Sequence, residues 1–297
     1  MRTYLENFYS EFDYPDGARA ALDEAYDKIY ANERAAEIFD TILSEYKATH
    51  AINMADMKED LNLAAKLSGA HEYTVKLLIH ICLSKELRAQ YAKRGLDDAL
   101  WVGAMSDLKW KLIECHLIRG VWGTFVADIG WFSRWYNLTR FAFYRLQFEL
   151  TTFKNEYEKN GVKLTKDSKA INIHIPRTGT PLDHGEVEKA YAMAKEFYKD
   201  EFGDEPMVFV CSSWLLFPEN DIILHERSNI RKFMADFDIF SSGYYDEIRD
   251  SVFWRIFDCS EDTPMEKVPQ DSFVKRAYKV HIEKGGKLGY GTGVFLA

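Results

Sequence analysis

The chain has few of the features that anchor a protein in a membrane or cross-link it. Its four cysteines lie far apart and form no CxxC pair, which argues against a disulfide framework and a zinc site. No apolar run approaches the roughly 20 residues that span a bilayer, because charged side chains interrupt the longest candidate, residues 112–132. The first residues, MRTYLENFYSEF, lack the apolar segment of a signal peptide. We therefore expect a cytoplasmic protein without a metal or a membrane-inserted segment.

Positive charge is also scarce. The sequence has 38 Lys and Arg against 47 Asp and Glu, a formal net charge of −9. A general binder of nucleic acid or of anionic membranes needs a basic face, so neither class fits. The chain does have length and apolar content: 297 residues, 47% hydrophobic and 15% aromatic, predict a globular protein of two domains.

Residues 1–138 carry apolar side chains with a period near 3.6, which predicts an all-helical N-terminal domain. The predicted helices end at Tyr30, Tyr46, Leu67, Ala92 and His116. Asn32 is the predicted N-cap of the second, and Gly69 and Gly95 follow the third and fourth. In the last helix, the polar side chains from Asp107 to Glu114 are expected to face solvent.

Strand patterns begin near Arg140. The alternation in RFAFYRLQFELTTF predicts an aromatic-rich strand, which forms a hairpin with a strand at 170–175 through a turn at Asn160 and Gly161. Further predicted elements are a helix at 184–202 capped by Asp183, a strand at 207–214, a helical stretch at 219–237 with an internal cap at Ser228, strands at 238–245 and 251–257, a helix at 271–284 and a strand at 288–296. This predicts an α+β fold, in which a mixed sheet with flanking helices, residues 139–297, follows the helical domain.

His174 is the first candidate for catalysis. It lies near the end of a predicted strand, and alternation turns its ring to the face opposite Ile173 and Ile175. Imidazole titrates near neutral pH, which suits a general base. The structural alternative is a half-buried histidine that is hydrogen-bonded to the backbone.

The segment Cys211-Ser212-Ser213-Trp214 follows a buried strand, and strand ends are common sites in such sheets. Cys211 or Ser213 as a nucleophile would need a nearby base, and no GxSxG motif surrounds them. The alternatives are an inert buried thiol and a substrate-lining role for Ser213 or Trp214.

The predicted helix at 271–284 opens with Ser272 as a cap and carries Lys275 and Arg276 in its first turns. Backbone N–H groups and two cations there favour a phosphate or pyrophosphate. The alternative is a capped surface helix with a solvated basic face. The C-terminal GGKLGYGTGVFLA contains no nucleotide-binding frame, so its strand glycines are expected to allow bulges or close backbone approach, or to face a ligand.

Four segments, HIPRTGTPLD, FVCSSWLL, SNIRKF and YRLQFEL, resemble the C-terminal domain of bacterial two-domain acyltransferases with a GNAT-like fold. The helical part, including DLKWKLIEC, resembles their N-terminal domain. The resemblance implies acyl transfer from acyl-CoA or acetyl-CoA to a small-molecule amine. It also implies a splayed pair of strands that admits the pantetheine, and a pyrophosphate at the start of the helix after the fourth core strand. The matching place here is the predicted strand at 251–257 and the helix from Asp271, although the loop between them contains no glycine.

This reaction assigns roles to several candidates. His174 or Glu219 is expected as the base, and Tyr278 or Tyr290 as the acid that protonates the departing thiolate. The expected CoA-binding residues are Ser272, Lys275 and Arg276, and the expected substrate-binding residues are Cys211, Ser213 and Trp214. Two alternatives remain open: a non-catalytic ligand-binding or assembly protein with a GNAT-like sheet, and a hydrolase that uses Cys211 or Ser213.

Overall fold

The computed structural model describes residues 1–126, 130–159, 162–246 and 251–296. The chain divides into two compact units. The first consists of Met1–Ala142 with Arg177–Gly179, and the second of Phe143–Pro176 with Thr180–Ala297. The turn predicted at Asn160 and Gly161 lies outside the described residues.

The first unit is helical, as its apolar periodicity predicts. Its helices are α1 (Arg2–Glu11), α2 (Asp16–Tyr30), α3 (Glu33–Thr49), α4 (Met54–Ser68), α5 (Glu72–Lys93), α6 (Asp98–Arg119) and α7 (Gly130–Tyr136). The five predicted helices, α2 to α6, are confirmed, and the Asn32 side chain accepts a hydrogen bond from the Ala35 N–H as the cap of α3. The sequence did not predict α1 and α7, because 10 and 7 residues are too few to display a clear period.

Helix α5 is the centre of this unit and contacts α1, α2, α3, α4, α6 and α7. Its residues Thr74–Ser84 are buried on all sides, including the polar side chain of His80. The His80 ring stacks on Tyr136 with centroids 5.4 Å apart, and neither ring nitrogen has a hydrogen-bond partner. Burial lowers the pKa of His80 to about 3, so the core holds a neutral imidazole.

The expectation that Asp107 and Glu114 face solvent is wrong. They are 2% and 4% exposed. Glu114 pairs with Lys111 at 3.1 Å. Burial raises the pKa of Asp107, against the opposing effect of Lys111 and Arg140. The buried face of α6 thus contains two carboxyl groups, and a hydropathy pattern cannot show which polar side chains the fold buries.

The second unit is built on a sheet with flanking helices. Its strands, with β1 at the boundary of the units, are β1 (Arg140–Phe143), β2 (Leu146–Thr152), β3 (Tyr157–Lys159), β4 (Val162–Leu164), β5 (Lys169–His174), β6 (Val208–Ser213), β7 (Asp238–Tyr244) and β8 (Gly289–Leu296). Its helices are α8 (His184–Phe202), α9 (Asn220–Ile223), α10 (Asn229–Ala235), α11 (Ser251–Phe257) and α12 (Phe273–Glu283). The six-stranded sheet has the order β1-β2-β5-β6-β8-β7, and β3 pairs with β4 separately.

Only the β5–β6 pair of the described sheet registers is parallel, and α8 is the crossover between these strands. The α+β class and the mixed sheet are confirmed. The caps of α8 and α10 are confirmed too: Asp183 accepts from the Glu186 N–H and Ser228 accepts from the Ile230 N–H.

Two predicted strands differ from the structure. The long strand from Arg140 is interrupted by a turn, where Tyr144 has a φ of +48°. The strand predicted at 251–257 is wrong, because these residues form α11. An apolar run of seven residues fits either a buried strand or a buried helix, and periodicity alone does not separate the two.

The two faces of the sheet have different coverings. On one face, Tyr191 of α8 packs against Phe209 of β6 and Phe295 of β8; we call this the helix face. On the opposite face, an apolar cluster joins the β3–β4 hairpin to the main sheet through Ala170, Val208 and Val294. Because side chains alternate along a strand, Phe209, Cys211 and Ser213 belong to the helix face, and Val208, Val210 and Ser212 to the opposite face.

Gly291 on the helix face explains part of the glycine pattern of the last strand. A Cβ at this position would lie 2.0 Å from the Leu216 carbonyl oxygen. The close backbone approach predicted for these glycines is therefore confirmed. The expected bulge also exists, but it lies in the neighbouring β7, between Ile239 and Ser241.

Candidate active site

The parallel strands β5 and β6 separate at their carboxyl ends. Their pairing is confined to Ile171 with Phe209 and Asn172 with Val210, whereas β5 continues to His174 and β6 to Ser213. Beyond this point, among the residues that the structure describes, β6 pairs with β8 on its other side. The facing edges of the two strands are thus not paired with each other beyond Asn172 and Val210, and strand edges of this kind can hydrogen-bond to a third extended chain. We call this opening the β5–β6 split.

His174 lies on the β5 wall of the split. Its Nε2 is 2.9 Å from Glu149 Oε2 on β2, and the two side chains are 13% and 15% exposed. The Asn172 amide is 3.3 Å from the same nitrogen. Register places all three side chains on the face opposite α8, as alternation predicts for His174. The imidazole is therefore held by a carboxylate, which is an arrangement of general bases.

Ser212 lies on the β6 wall and shares the face of His174, because Asn172 and Val210 are paired and each is two residues earlier. Its hydroxyl lies 2.9 Å from that of Thr292 on β8, and the Ser212 side chain is exposed. The split is thus lined on one face by a histidine–carboxylate pair and a pair of hydroxyls.

Cys211 and Ser213 point to the helix face. Cys211 is 1% exposed, and burial raises the pKa of its thiol to about 12. Ser213 Oγ accepts a hydrogen bond from the Leu215 N–H. Trp214 begins a short 3-10 turn and packs edge-on against Tyr278. In the part of the chain that the structure describes, no histidine is hydrogen-bonded to Cys211 or Ser213.

Glu219 lies across the sheet from His174. Its carboxylate accepts a hydrogen bond from the Tyr244 hydroxyl at 2.7 Å and is 3.7 Å from His281 Nε2. Tyr244 pairs with Gly289, which belongs to the helix face. The structure therefore does not bring the two predicted bases together.

The two tyrosines predicted as acids contact residues outside β5 and β6. Tyr278 is 1% exposed and donates to Asn220 Oδ1. Tyr290 shares the face of His174, but its hydroxyl lies over Gly243 of β7, the strand on the far side of β8. Because neighbouring strands are about 4.8 Å apart, the ring extends away from β6.

The residues predicted to bind CoA at α12 form hydrogen bonds and ion pairs with other residues of the protein. Ser272 accepts from the Lys275 N–H as the helix cap. Lys275 Nζ lies 2.9 Å from Asp258 and 2.8 Å from Asp271. Burial alone would lower the pKa of Lys275, but hydrogen bonds to these carboxylates outweigh it and raise the pKa. Arg276 donates to the Gln270 carbonyl. These contacts give the predicted phosphate site little support.

The described residues contain no group of three or more His, Cys, Asp or Glu side chains arranged for a metal ion. Every helix in the described ranges is also too short or too polar to cross a bilayer.

Comparison with known families identifies both parts of the chain. Residues 3–138 match the N-acyltransferase N-terminal domain, and residues 141–295 match the GNAT-like C-terminal domain. The chain belongs to the two-domain N-acyltransferase family. The search of curated protein sequences found no match to this chain.

Solved structures of acyltransferases share the fold of this chain. An acyltransferase in complex with decanoyl-CoA and teicoplanin is 18% identical over 98% of this chain and 87% of that chain, with a TM-score of 0.72. An acyltransferase in complex with CoA and 10C-teicoplanin is 18% identical over 98% of this chain and 99% of that chain, with a TM-score of 0.63. At this identity the likeness establishes the fold.

Sequence reasoning selected His174 and missed Glu149. Both lie in predicted strands that were expected to pair, and the alternation of YRLQFEL was visible. The missing information was the register, because an inserted β3–β4 hairpin lies between β2 and β5. Only the folded pairing of Glu149 with Asn172 places the carboxylate beside His174.

Proposed function

We propose that this protein transfers an acyl group from an acyl-CoA thioester to the amine of a small molecule at the β5–β6 split. The observation that carries the proposal is that the parallel strands separate where His174 and Glu149 are hydrogen-bonded. Membership of the N-acyltransferase family, and the acyl-CoA complexes of the similar solved structures, support the same reaction.

The pantetheine arm is an extended chain with two amides, and it fits the split as an added strand. Its amides hydrogen-bond to the facing edges of β5 and β6, which no longer pair with each other. The helix that connects the splayed pair is α8, so the proposed pyrophosphate position is the first turn of α8, at His184 and Gly185. This replaces α12 as the expected site.

The chemistry needs one base and a polarised carbonyl. The amine nitrogen attacks the thioester carbon while His174 takes a proton from the amine. Backbone N–H groups at the split stabilise the oxyanion. The tetrahedral intermediate then collapses, the C–S bond breaks and the thiolate receives a proton. Ser212, whose hydroxyl interacts with Thr292, is the proposed donor of that proton, and the proton that His174 took from the amine then returns to Ser212, so that both groups regain their starting state.

Two measurements test this function. Calorimetry with acetyl-, octanoyl- and decanoyl-CoA measures binding, and release of free CoA thiol is followed with teicoplanin and a panel of small amines as acceptors. We expect His174→Gln to retain acyl-CoA binding and to lose about 10²- to 10⁴-fold in kcat. The matched control is Cys211→Ala, which we expect to keep its activity. Absence of binding at millimolar acyl-CoA, or full activity of His174→Gln, contradicts the proposal.

A further inference from the structure

The contact between Glu149 and His174 is set by the register of two antiparallel strands. Glu149 is directly opposite Asn172, and Gln147 is directly opposite His174. The carboxylate therefore reaches the imidazole diagonally, at 2.9 Å between Oε2 and Nε2. Gln147, the direct neighbour, is 1% exposed and neutral. Of Gln147, Glu149 and Asn172, Glu149 is the one with an ionisable side chain.

Glu149 and Asn172 both lie close to Nε2 of His174, and they require opposite hydrogen-bonding roles of this nitrogen. The carboxylate of Glu149 accepts only, so its partner nitrogen must carry the proton. An Asn172 amide N–H at 3.3 Å would require that nitrogen to accept instead. The Glu149 contact is shorter and charge-assisted, and charge-assisted bonds are the stronger ones. The proton is therefore on Nε2, and Asn172 presents its amide oxygen.

We propose that Glu149 is a positioning residue that holds His174 as the Nε2–H tautomer, so that Nδ1 takes the proton from the acyl acceptor. This inference rests on the proposed function of the split. A fixed tautomer keeps the lone pair on one nitrogen in every molecule, and the carboxylate stabilises the imidazolium that forms during proton transfer. Glu149 acts through His174 and needs no contact with the substrate.

The chain contains a matched control for this pair. His184 Nε2 lies 2.9 Å from Asp236 Oδ1, the same distance as in the proposed pair. The His184–Asp236 pair joins α8 to the end of α10 and lies outside the split. Loss of the Asp236 carboxylate thus tests the general effect of breaking a histidine–carboxylate contact.

The first readout is the tautomer itself. Nitrogen NMR of ¹⁵N-histidine-labelled protein distinguishes protonated from unprotonated ring nitrogens, and the His174 signals are those among the eight histidines that vanish in His174→Gln. We expect a protonated Nε2 in the parent and a mixture of tautomers in Glu149→Gln. A pure Nδ1–H tautomer in the parent, or an unchanged spectrum in Glu149→Gln, overturns the inference.

The second readout separates positioning from folding. We expect Glu149→Gln to lower kcat by about 10- to 100-fold, with the KM for acyl-CoA within about twofold of the parent. Glu149→Asp should recover most of the lost kcat. Asp236→Asn should leave kcat at saturating acyl-CoA unchanged, because any effect through His184 at the proposed pyrophosphate position falls on the KM for acyl-CoA. If Glu149→Gln does not fold, Glu149→Asp carries the test through its tautomer and its kcat.

These results distinguish this inference from the function on which it rests. Full activity of His174→Gln contradicts the proposed function. An inactive His174→Gln beside a fully active Glu149→Gln contradicts the role of Glu149 alone.

Discussion

The hydroxyl of Tyr278 donates a hydrogen bond to Asn220 Oδ1 at 2.5 Å, and the Asn220 amide in turn donates to the carbonyls of Trp214 and Leu215. Asn220 is fully buried. Three separate segments, α12, α9 and the turn after β6, are therefore joined at one side chain. Burial raises the pKa of Tyr278, so the phenol remains a hydrogen-bond donor.

Tyr278→Phe is expected to destabilise the protein without affecting catalysis. The change leaves Asn220 Oδ1 buried without its donor, which costs about 1–3 kcal/mol of unfolding free energy. Urea unfolding followed by circular dichroism measures this loss, and CoA release measures activity. Tyr290→Phe is the control, since no hydrogen bond of comparable burial is removed. A stable but inactive Tyr278→Phe would restore Tyr278 as a candidate acid.

Lys275→Met tests whether α12 binds CoA. The substitution removes the ammonium beside Asp258, whose side chain is 22% exposed, and we expect a loss of about 1–3 kcal/mol in stability. The affinity for acyl-CoA should not change, because the ammonium is already paired with two carboxylates. Arg276→Gln, on the exposed side of α12, should change neither quantity. A clear loss of acyl-CoA affinity in both variants would return the phosphate site to α12.

His80 is expected to make stability depend on pH. The folded state keeps the imidazole neutral, with a pKa of about 3 against the ordinary 6.5, whereas the unfolded chain binds a proton below about pH 6.5. The free energy of unfolding therefore falls as the pH decreases from 6.5 toward 3, by about 1.4 kcal/mol per pH unit from this group. Urea midpoints measured between pH 7 and 4 give this slope.

His80→Phe should flatten the slope, because the ring is retained without a titrating nitrogen. The control is His50→Asn, at a partly exposed position with φ of +54° that asparagine accepts. Equal slopes in the parent and His80→Phe would show that the folded state does not lower the pKa of His80, and would contradict this prediction.

Cys211 is expected to resist alkylation in the folded protein. Its thiol is buried, with a pKa of about 12, and the thiolate is the reactive form. Iodoacetamide at pH 8 should label the half-buried Cys259 first and Cys211 only after unfolding, as mass spectrometry of peptides can show. Rapid labelling of native Cys211 together with loss of activity would revive the hydrolase hypothesis.

Gly291→Ala should be strongly destabilising. The new Cβ would meet the Leu216 carbonyl oxygen at 2.0 Å, and backbone displacement of this kind costs about 1–3 kcal/mol or more. Gly185→Ala, in the first turn of α8, meets only the Asp183 side chain at 3.2 Å and should be near neutral. Thermal unfolding of both variants compares the two sites, and equal melting temperatures would contradict the argument.

Local patterns predicted much of the fold. The five helices α2 to α6 and the strands β5, β6 and β8 carry strong periodicity or clear stop signals, and such signals depend only on neighbours in the chain. The strand predicted at the short apolar segment of α11 was wrong because local signals are ambiguous there. Val252, Phe253 and Ile256 suit a buried face of either a helix or a strand. Tertiary packing decides such cases.

The site was predictable in part. Alternation placed His174 on the correct face, but the choice of Glu219 as a second base depended on proximity that only the sheet topology reveals. The same holds for Lys275, whose partner Asp258 is distant in sequence and occupies the ammonium. A charge read from sequence is available to a ligand only if no other part of the chain has paired with it.

Glycines at alternate positions give β8 two faces that differ in how well they tolerate amino-acid substitutions. On the helix face, Gly289 and Gly291 leave no room for a side chain, whereas Thr292 on the other face extends toward Ser212. Directed evolution of acceptor preference can therefore vary Thr292, while the odd-numbered glycines and Val294 of the apolar cluster stay constant. A library restricted in this way varies the surface that borders the split and leaves the packing of the sheet unchanged.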